Sequence, residues 1–573
     1  MAPPRPTPQP SSRRPGCVVG RGRSPLGARG GAMTRSGVGV LPRLLTLAAL
    51  ALLGARCAWT IIQALDVFAD YHAYYRAADN LRAGRDLYAE GRLLVARNSY
   101  DFWTQTDGQY VYPPLLALLL LPLTVLDIGK GGVVWLLALV LTLLGTIWLA
   151  ARLCGRAASL PTFLAVALPV AGTLPLALGV RYGLIARGPL LLAGLALGGH
   201  LVFVLAARRS ATPPRPAVAA VALALLAIGV AALLLGLREG RIDPFLLALA
   251  CPGLAGTVAL TQARTMPAPP GRVPGLRATL VARLGALLPV ALPLLGGTPL
   301  LLGLQYGQSD LFLLLLTALA FLAHLRRREA LAGIALGVAA ALKPTVALYG
   351  LYYLRKRCWT TLATAALTGT ALGLAPFALL GGDAFADWLT ISRYFGGGDY
   401  AAYPTNQSLH GLLLRAFVGG PHYAPLLANR ALADGGWLVL AGGVLLLWWR
   451  ILTPRREDAA RAALEYGLTI AAILIAAPLS EDIHFVGLLL PFAFLADRIA
   501  RGEGSTAWRA WALLCCLPFV LPPPALPAAL AGDAARLLVS APYLGGAVLL
   551  GGVLIARLRA TRRELTPLAY SVM

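Results

Sequence analysis

The sequence predicts an all-α protein that crosses a membrane many times, and three observations support that class. Apolar residues make up 58% of the 573 residues and charged residues only 13%, about half of the charged share in soluble domains. Apolar runs of about 18 to 24 residues recur from Leu41 towards the C-terminus, and each could cross a hydrocarbon core about 30 Å thick as a helix. The alternating pattern of barrel strands is absent from the sequence, so helices must satisfy the backbone in lipid.

The charge balance indicates contact with a lipid bilayer and no nucleic-acid partner. The chain has 50 Lys and Arg against 25 Asp and Glu, a formal net charge of +25. The arginines form short clusters between apolar runs, as cytoplasmic loops do, and they form no aromatic and basic face for stacking bases. The seven cysteines form no CxxC pair, which argues against a disulfide framework or a zinc site. A tight Asp-x-Asp pair is also absent from the sequence, so no metal or other cofactor is expected.

The arginine clusters also predict the orientation of the spans. Arg35 and Arg43 precede the first span, at about 41 to 62, which places the N-terminus in the cytoplasm and residues 63–112 in a large outer loop. Counting the spans between later clusters predicts about 14 membrane helices, within a range of roughly 12 to 16, with both termini inside. We therefore expect a multi-pass protein of the bacterial plasma membrane.

Two intervals are too short for a regular helical hairpin. The interval from Arg328 to Arg357 is interrupted by Lys343-Pro344, where proline breaks a helix and a lysine at mid-membrane is costly. Two half-helices that meet at Lys343 beside a polar cavity would explain both residues. Residues 113–126, which begin with two prolines, are predicted to form a short re-entrant or surface-lying helix before a span at 131–152.

These features divide the chain into five segments. They are a disordered basic leader at 1–40, in which Met33 is a second candidate start; a first span, outer loop and juxtamembrane helix at 41–155; extra transmembrane helices at 156–300; the remaining core at 301–500; and C-terminal helices with a basic tail at 501–573. A weak internal repeat relates Tyr182-Gly183 to Tyr306-Gly307 at one constant offset. The earlier copy lacks the polar residues of the later one.

The first outer loop contains the best candidate for a catalytic base. Asp66 and Asp70 are four residues apart, hence on one helical face beyond the first span, and Tyr74 follows on the same face. A carboxylate at the membrane surface beside aromatic rings can act as a general base, because partial desolvation raises its pKa. The alternative is an interfacial amphipathic helix with tyrosine anchors, and we favour that alternative for Asp66.

Further polar residues lie on the same predicted side. Gln308 and Asp310 stand at the outer start of a span, where Asp310 could also serve as a helix cap. Asn406, Gln407 and Arg415 belong to a second large outer loop. His484 ends a short outer turn, and a lone histidine there is more often structural than catalytic. Together with Lys343 these groups converge from separate segments, which predicts a site.

The order and spacing of these residues resemble glycosyltransferase family 87, within the GT-C superfamily. The motifs that carry the resemblance are Asp70-Tyr71-His72-Ala73-Tyr74-Tyr75, Tyr110-Val111-Tyr112-Pro113-Pro114, Gly307-Gln308, Lys343-Pro344, the loop from Asn406 to Arg415, and the turn that ends at His484. The resemblance covers residues 41–500. Asp310 stands where the family usually has Asn, and Glu481 and Ile483 stand in the last turn, which usually carries Trp and a His pair.

The resemblance implies a GT-C type fold and inverting transfer of a mannosyl or related residue. The donor would be a polyprenyl-phosphate sugar, and the acceptor a glycolipid or glycan on the outer face. Asp70 would be the base, because the leaving phosphate is already charged and needs no general acid. The donor phosphate would bind Lys343, Arg415 and His484. The sugar and acceptor would contact a set of hydrogen-bonding side chains: His72, Tyr74, Gln308, Asp310, Asn406 and Gln407.

Two other classes of protein stay open. A lipid or sugar transporter would also show a weak repeat, a broken helix and an intramembrane cation. Such a transporter needs polar groups on both sides, whereas the predicted inner face has only arginine clusters. A scaffold protein that kept the fold ranks last, because Asp70 is intact.

Overall fold

The computed structural model describes most of the chain beyond the predicted leader. The described residues are 40–97, 109–156, 159–207, 216–265, 293–397, 399–419, 424–454, 458–520, 537 and 540–570. The chain divides into two compact units, Met1–Ala49 and Leu50–Met573. Residues 1–39 of the predicted leader, with Met33, lie outside the described residues. All that follows concerns the second unit.

The described residues form an all-helical structure, as the composition predicts. In the first half the helices are α1 (Val40–Gln63), α2 (Ala69–Arg82), α3 (Ala89–Arg97), α4 (Pro114–Leu120), α5 (Ile128–Leu153), α6 (Leu160–Arg181), α7 (Arg187–Ala207), α8 (Pro216–Arg238) and α9 (Pro244–Thr265). In the second half they are α10 (Thr298–Tyr306), α11 (Asp310–Leu325), α12 (Glu329–Leu342), α13 (Gly350–Arg355), α14 (Trp359–Leu380), α15 (Gly382–Gly397), α16 (Leu409–Phe417), α17 (Arg430–Ile451), α18 (Ala459–Ala476), α19 (Leu489–Ala500), α20 (Thr506–Leu514), α21 (Leu517–Val520) and α22 (Pro542–Tyr570). Short 3-10 helices cover Ala64–Asp66, Leu121–Val125, Pro344–Tyr349, Asp399–Ala402 and Asp482–Leu488.

Several of these helices are long and apolar enough to cross a membrane, so the protein is an integral membrane protein. Among the described residues there are seven such helices, or eight if the bent pair Leu52–Asp66 and Ala69–Arg82 is one span. Seven further apolar helices have 10–17 residues. The predicted number of about 14 spans stays a prediction, because length and composition support half of it.

Two interruptions of the helices lie at prolines, although Pro169, Pro175, Pro252 and Pro376 lie inside continuous helices. Helix α12 ends at Leu342, Pro344 begins a 3-10 helix, and α13 follows only at Gly350. Pro344 has no N–H to continue the ladder of α12, so the chain turns at Lys343. The prolines at 113 and 114 likewise begin α4, a helix of seven residues that precedes the long span α5. Both interruptions lie where the sequence predicts them.

Helices α6 to α9 form a duplicated pair of helical hairpins. Gly179, Arg181, Gly183 and Ile185 of the first hairpin recur at one constant spacing as Gly236, Arg238, Gly240 and Ile242 of the second. The two turns lie side by side, joined by an antiparallel bridge between Ile185 and Ile242. Helix α6 packs on α9, and α7 packs on α8. The turn at Tyr182-Gly183 therefore has a partner at Glu239-Gly240, in addition to the predicted likeness to Tyr306-Gly307.

The cationic residues that the sequence predicts to be cytoplasmic lie at one end of the bundle. Arg156 pairs with Asp497, and the Arg501 guanidinium donates to the Cys154 carbonyl at 2.6 Å. Lys356 forms a fully buried ion pair with Glu465 near the start of α18, whose other end leads towards His484. The basic end and the predicted site therefore lie at opposite ends of α18.

Candidate active site

Asp70 lies in the first turn of α2, directly after a sharp bend in the chain. The helix axis turns by 42° between Leu52–Asp66 and α2, and Phe68, the residue before α2, adopts φ 30°, a left-handed value that is strained for a phenylalanine. Five of the fourteen residues of α2 are Asp, His or Arg, so we treat α2 as a juxtamembrane helix outside the apolar span. The bend directs Asp70 and Tyr74 into the protein, where Tyr74 is completely buried.

Gly307 brings the α10–α11 turn into contact with α2. It adopts φ 72°, and a Cβ at this position would lie 2.8 Å from the Tyr71 Cβ, so only glycine fits both the conformation and the space. The Trp135 indole donates to the Gly307 carbonyl at 2.8 Å, and the Phe68 amide donates to the Gln305 carbonyl at 3.1 Å. These contacts place the next residue, Gln308, against Asp70.

A chain of hydrogen bonds orients the Asp70 carboxylate. The hydroxyls of Tyr74 and Tyr112 donate to Gln308 Oε1 at 3.1 and 3.2 Å, and Gln308 Nε2 donates to Asp70 Oδ2 at 2.8 Å. Because two phenols occupy the amide oxygen, the amide nitrogen must point at the carboxylate. Among the described residues, Asp70 Oδ1 accepts no hydrogen bond, which leaves it for an incoming hydroxyl.

The surroundings raise the pKa of Asp70 to about 7. Burial is the largest cause, because it penalises the charged carboxylate, and the nearby Glu481 carboxylate acts in the same direction. The hydrogen bond from Gln308 and the charge of Lys343 oppose this shift in pKa. A base with a pKa near neutrality combines a useful ionised fraction with a strong affinity for a proton.

A second group of polar side chains, which we call the Lys343 cluster, adjoins Asp70. It consists of Asp310, Lys343, Glu481 and His484. Lys343 Nζ donates to both Asp310 oxygens at 3.0 Å and lies 2.7 Å from His484 Nε2. It also lies 5.7 Å from the centre of the Tyr112 ring, whose hydroxyl belongs to the chain that orients Asp70. The Tyr112 side chain therefore contacts both the hydrogen-bond chain of Asp70 and the Lys343 cluster.

The tautomer of His484 follows from its backbone contact. The Glu481 amide donates to His484 Nδ1 at 3.0 Å, so the proton of a neutral ring is on Nε2. Lys343 Nζ and His484 Nε2 are then both N–H donors, 2.7 Å apart, and such a contact is unfavourable without an acceptor beside it. An oxyanion placed there would accept from both donors.

Two loops that are predicted to lie on the outer side hold this cluster in place. Asn406, which is completely buried, donates to the Ala401 and Pro478 carbonyls and accepts from the Ser408 and Ser480 amides. The backbones of Asn406 and Glu481 form an antiparallel bridge. The turn that carries Glu481 and His484 is therefore bound to the loop around Asn406.

The remaining predicted residues have contacts of other kinds. Gln407 Nε2 donates to the Pro404 and Ser540 carbonyls. The Arg415 guanidinium is completely buried and donates to the Tyr403 and Asn406 carbonyls at 2.8 and 2.9 Å. The His72 ring lies 6.0 Å from the Tyr71 ring. In the structure Gln407 and Arg415 hold the loop around Asn406, and their predicted roles in binding stay predictions.

An apolar groove begins beside Pro344. It has a volume of about 430 Å³ and lies between α4, α12, α14 and α15. Its lining includes Pro113, Pro344, Leu362, Phe377 and Trp388. Gly337 lets α12 approach α14 closely, because a Cβ there would lie 2.7 Å from the Ala365 carbonyl. The groove could hold an elongated apolar chain.

Sequence reasoning missed two residues of the site. Tyr112 orients Gln308, although the sequence placed it only within the Tyr-Pro-Pro motif. Glu481 accepts a hydrogen bond from the Tyr400 hydroxyl and lies 3.4 Å from His484 Nε2. The signal in the sequence that could have indicated Glu481 was its position three residues before His484. In the described part of the chain, no group of three or more His, Cys, Asp or Glu residues is placed to hold a metal ion.

An oriented carboxylate beside a cationic cluster, in a bundle of membrane helices, is the arrangement expected of a membrane glycosyltransferase. The sequence profile of glycosyltransferase family 87 matches residues 110–198 and 253–478, more than half of the chain. The protein belongs to glycosyltransferase family 87.

A similar curated protein is the polyprenol-phosphate-mannose-dependent alpha-(1-2)-phosphatidylinositol mannoside mannosyltransferase of Mycolicibacterium smegmatis (strain ATCC 700084 / mc(2)155). It is 29% identical over 198 residues, which cover 33% of this chain and 42% of that protein. The match thus spans less than half of the relative. No solved structure gives a significant match.

Proposed function

We propose that this protein transfers a mannosyl residue from a polyprenyl-phosphate donor to a glycolipid or glycan acceptor, with inversion at the anomeric carbon. The observation that carries the proposal is the Asp70 carboxylate, held by Gln308 with one oxygen left for an acceptor and placed beside Lys343 and His484. The family and the name of the mycobacterial relative support the sugar and the donor. The acceptor of that relative is a phosphatidylinositol mannoside by its name, which makes a glycolipid the first acceptor to test.

The proposed reaction needs one base and a cationic site. Asp70 Oδ1 takes the proton of the acceptor hydroxyl, while the hydroxyl oxygen bonds to the anomeric carbon on the face opposite the phosphate. The bond from the anomeric carbon to the phosphate oxygen breaks, and its electron pair leaves with the polyprenyl phosphate. Lys343 and His484 stabilise the charge on that phosphate.

The Lys343 ammonium can serve a phosphate while it stays paired with Asp310. It has three N–H groups, of which two are directed at the Asp310 oxygens. The third would turn from His484 Nε2, which is also a donor, to a phosphate oxygen. Asp310 therefore acts as a positioning residue for Lys343, and the apolar groove beside Pro344 takes the first isoprene units of the donor.

The basic end of the bundle supports an active site on the extracytoplasmic face. Arginine-rich ends of membrane helices stay in the cytoplasm, and the site lies at the other end of α18. The donor would then enter the groove from the outer leaflet.

The test is transfer of radiolabelled mannose from polyprenyl-phosphate-mannose to a total lipid extract by purified protein in nanodiscs. We expect the wild type to label a glycolipid, and Asp70→Asn to lose about 100-fold to 10,000-fold of the rate, the usual contribution of a general base. Asp66→Asn is the matched control, because Asp66 lies four residues earlier and pairs with Arg181 at 3.0 Å on the exposed surface.

Equal losses in the Asp66 and Asp70 variants would remove Asp70 as the base. The transporter alternative makes a different prediction, namely movement of a fluorescent polyprenyl-phosphate sugar between leaflets of vesicles that contain the protein. Flipping without transfer would replace the proposed function.

A further inference from the structure

The 3-10 helix Pro344–Tyr349, with one flanking residue at each end, separates two cavities. In such a helix, residues three apart lie on the same side. On one side they line the apolar groove, and these residues are Pro344, Ala347 and Gly350. On the other side they line a second cavity, and these residues are Lys343, Val346 and Tyr349, with Thr345 beside them. Among the described residues the two cavities share no lining residue, so this helix lies between them.

The second cavity adjoins the Lys343 cluster and is small. Asp310, Lys343 and His484 belong to its lining, and along α11 the lining extends from Asp310 to Thr317, about 10 Å. Its volume is about 70 Å³, against about 430 Å³ for the groove. A cavity of this size holds a few water molecules or a group as small as a phosphate. It is too small for an isoprene chain, which the groove could hold.

Three hydrogen-bond donors of this lining lack a full set of acceptors. Lys343 Nζ and His484 Nε2 lie 2.7 Å apart, and because both are donors, each needs an acceptor elsewhere. The third donor is the Tyr349 hydroxyl, which forms no hydrogen bond with the described residues. A Cβ on Gly487 would lie 3.6 Å from that hydroxyl, and Gly487 lines the cavity one 3-10 turn beyond His484. The Tyr349 hydroxyl therefore lies at the cavity wall, beside the helix that carries His484.

The charges of this lining favour an anion. Asp310, the carboxylate of the described lining, already accepts two hydrogen bonds from Lys343. The Glu481 carboxylate lies 3.4 Å from His484 Nε2, which is longer than a good hydrogen bond, and Glu481 is not part of the described lining. An anion in the cavity would accept from the ammonium, the imidazole and the phenol at once.

We propose that the Tyr349 hydroxyl binds the phosphate of the donor in this cavity, together with Lys343 and His484. The inference rests on the proposed function and adds a donor-binding residue to it. The isoprene chain passes to the other side of the 3-10 helix, at Pro344 and Ala347. The helix thus separates the charged headgroup of the donor from its apolar chain.

The experiment measures equilibrium binding by the purified full-length protein in detergent. The ligands are radiolabelled polyprenyl phosphate, the uncharged polyprenol of the same length, and inorganic phosphate. We expect the wild type to bind polyprenyl phosphate more tightly than either of the others. Tyr349→Phe should weaken the binding of polyprenyl phosphate about 10-fold, the factor that corresponds to one hydrogen bond to a charged group. Its affinity for polyprenol should equal that of the wild type, because the phosphate is the group that the hydroxyl contacts.

Tyr352→Phe is the matched control. It removes the same hydroxyl three residues later, and the Tyr352 hydroxyl also has no hydrogen-bond partner among the described residues. Because Tyr352 is not part of the described lining of either cavity, its replacement should leave all three affinities unchanged. Ala347→Trp tests the other side of the helix, since it fills part of the groove and should weaken the binding of polyprenol and polyprenyl phosphate alike. Unchanged unfolding midpoints of all variants show that the fold is kept.

Four results would overturn the inference while the wild type still prefers polyprenyl phosphate. They are full affinity for polyprenyl phosphate in Tyr349→Phe, an equal loss in Tyr352→Phe, an equal loss of polyprenol binding in Tyr349→Phe, and unchanged binding of both lipids in Ala347→Trp. A wild type that binds polyprenol or inorganic phosphate as tightly as polyprenyl phosphate would overturn the proposed donor as well. The failure of the inference and the failure of the proposed function are therefore distinguishable.

Discussion

Gln308 controls Asp70 because its own amide is fixed from the other side. Tyr74 and Tyr112 both donate to Gln308 Oε1, and the opposite amide nitrogen then has a single orientation. A free glutamine side chain would lose rotamer freedom on binding a sugar hydroxyl. Here that freedom is already lost, so Gln308 would act as a positioning residue for the proposed base.

The pKa of Asp70 predicts how transfer depends on pH. The carboxylate must be ionised to accept a proton, so the transfer rate should fall as the pH drops through about 7, the pKa to which burial raises this group. The hydrogen bond from Gln308 lowers the pKa of Asp70. Gln308→Leu should therefore move the midpoint of the pH profile upwards.

The measurement is kcat/KM for transfer across roughly pH 5 to 9, which reports on the free enzyme. Tyr75→Phe is the control on the same helix, because the Tyr75 hydroxyl donates to the Leu126 carbonyl. A midpoint in Gln308→Leu equal to or below that of the wild type would contradict the assigned hydrogen bond.

Lys343 should act mainly on donor binding. Lys343→Met removes one charge-assisted hydrogen bond to the phosphate, and we expect the KM for polyprenyl-phosphate-mannose to rise roughly 10-fold to 100-fold. Lys130→Met is the control, because Lys130 pairs with Asp243 away from the cluster. An unchanged donor KM with a reduced kcat would assign Lys343 to another step.

At the scale of elements, turns between helices bring the site together. The α10–α11 turn carries Gln308 to α2, the break after α12 presents Lys343, and the loop around Asn406, paired with the turn at Glu481, presents His484. Each turn uses a backbone feature, namely a glycine with positive φ, a proline or an antiparallel bridge. The helices support the site, and the turns between them carry its polar side chains.

Substitutions at Gly307 and Gly183 test whether the α10–α11 turn depends on its contact with α2. Both have positive φ, 72° and 74°, but only Gly307 is crowded, because no atom would lie within 4 Å of a Cβ at Gly183. Gly183→Ala should cost about 1–2 kcal/mol of unfolding free energy from the left-handed conformation alone. Gly307→Ala should cost roughly 1–3 kcal/mol more, because Tyr71 must move.

The two costs are compared through unfolding midpoints in detergent. Gly307→Ala should also reduce transfer, because the displaced turn carries Gln308. Equal midpoints in the two variants would show that the turn does not depend on its contact with α2.

At the scale of the whole molecule, ionisable residues separate to the two ends of the bundle. The site end contains Asp70 and the Lys343 cluster. The basic end contains Lys356, Arg461 and Glu465, a buried group in which both cations contact the Glu465 carboxylate. Burying an unpaired charge in the apolar middle of a bundle costs free energy. The charged residues of each end therefore lie beside side chains of opposite charge.

Glu465 should matter more for stability than either of its cationic partners. Glu465→Leu would leave Lys356 and Arg461 without their shared carboxylate, and we expect a loss of about 3–5 kcal/mol of unfolding free energy. Lys356→Met should cost less, because the pair of Arg461 and Glu465 remains. Unfolding midpoints provide the comparison, and a larger loss in Lys356→Met would contradict it.

The sequence predicted those features of the site that depend on neighbouring residues. Proline at 344 implied the break at Lys343, and the spacing of acid and tyrosines after the first span implied the helix that carries Asp70. It treated Asp66 and Asp70 as one helical face, whereas the bend at Phe68 leaves Asp66 on the surface with Arg181. The strained residue that causes this bend has no signature in local composition.

The sequence by itself determined that this protein is built of membrane helices and belongs to the glycosyltransferases. Apolar runs must form helices in lipid whatever their neighbours are, and the motifs of the family keep their order along the chain. Only the tertiary structure decided which partners the functional side chains have. Gln308 reaches Asp70, Asp310 pairs with Lys343, and Arg415 holds a loop, because contacts between distant segments depend on how the helices pack, and spacing along the chain carries no record of that packing.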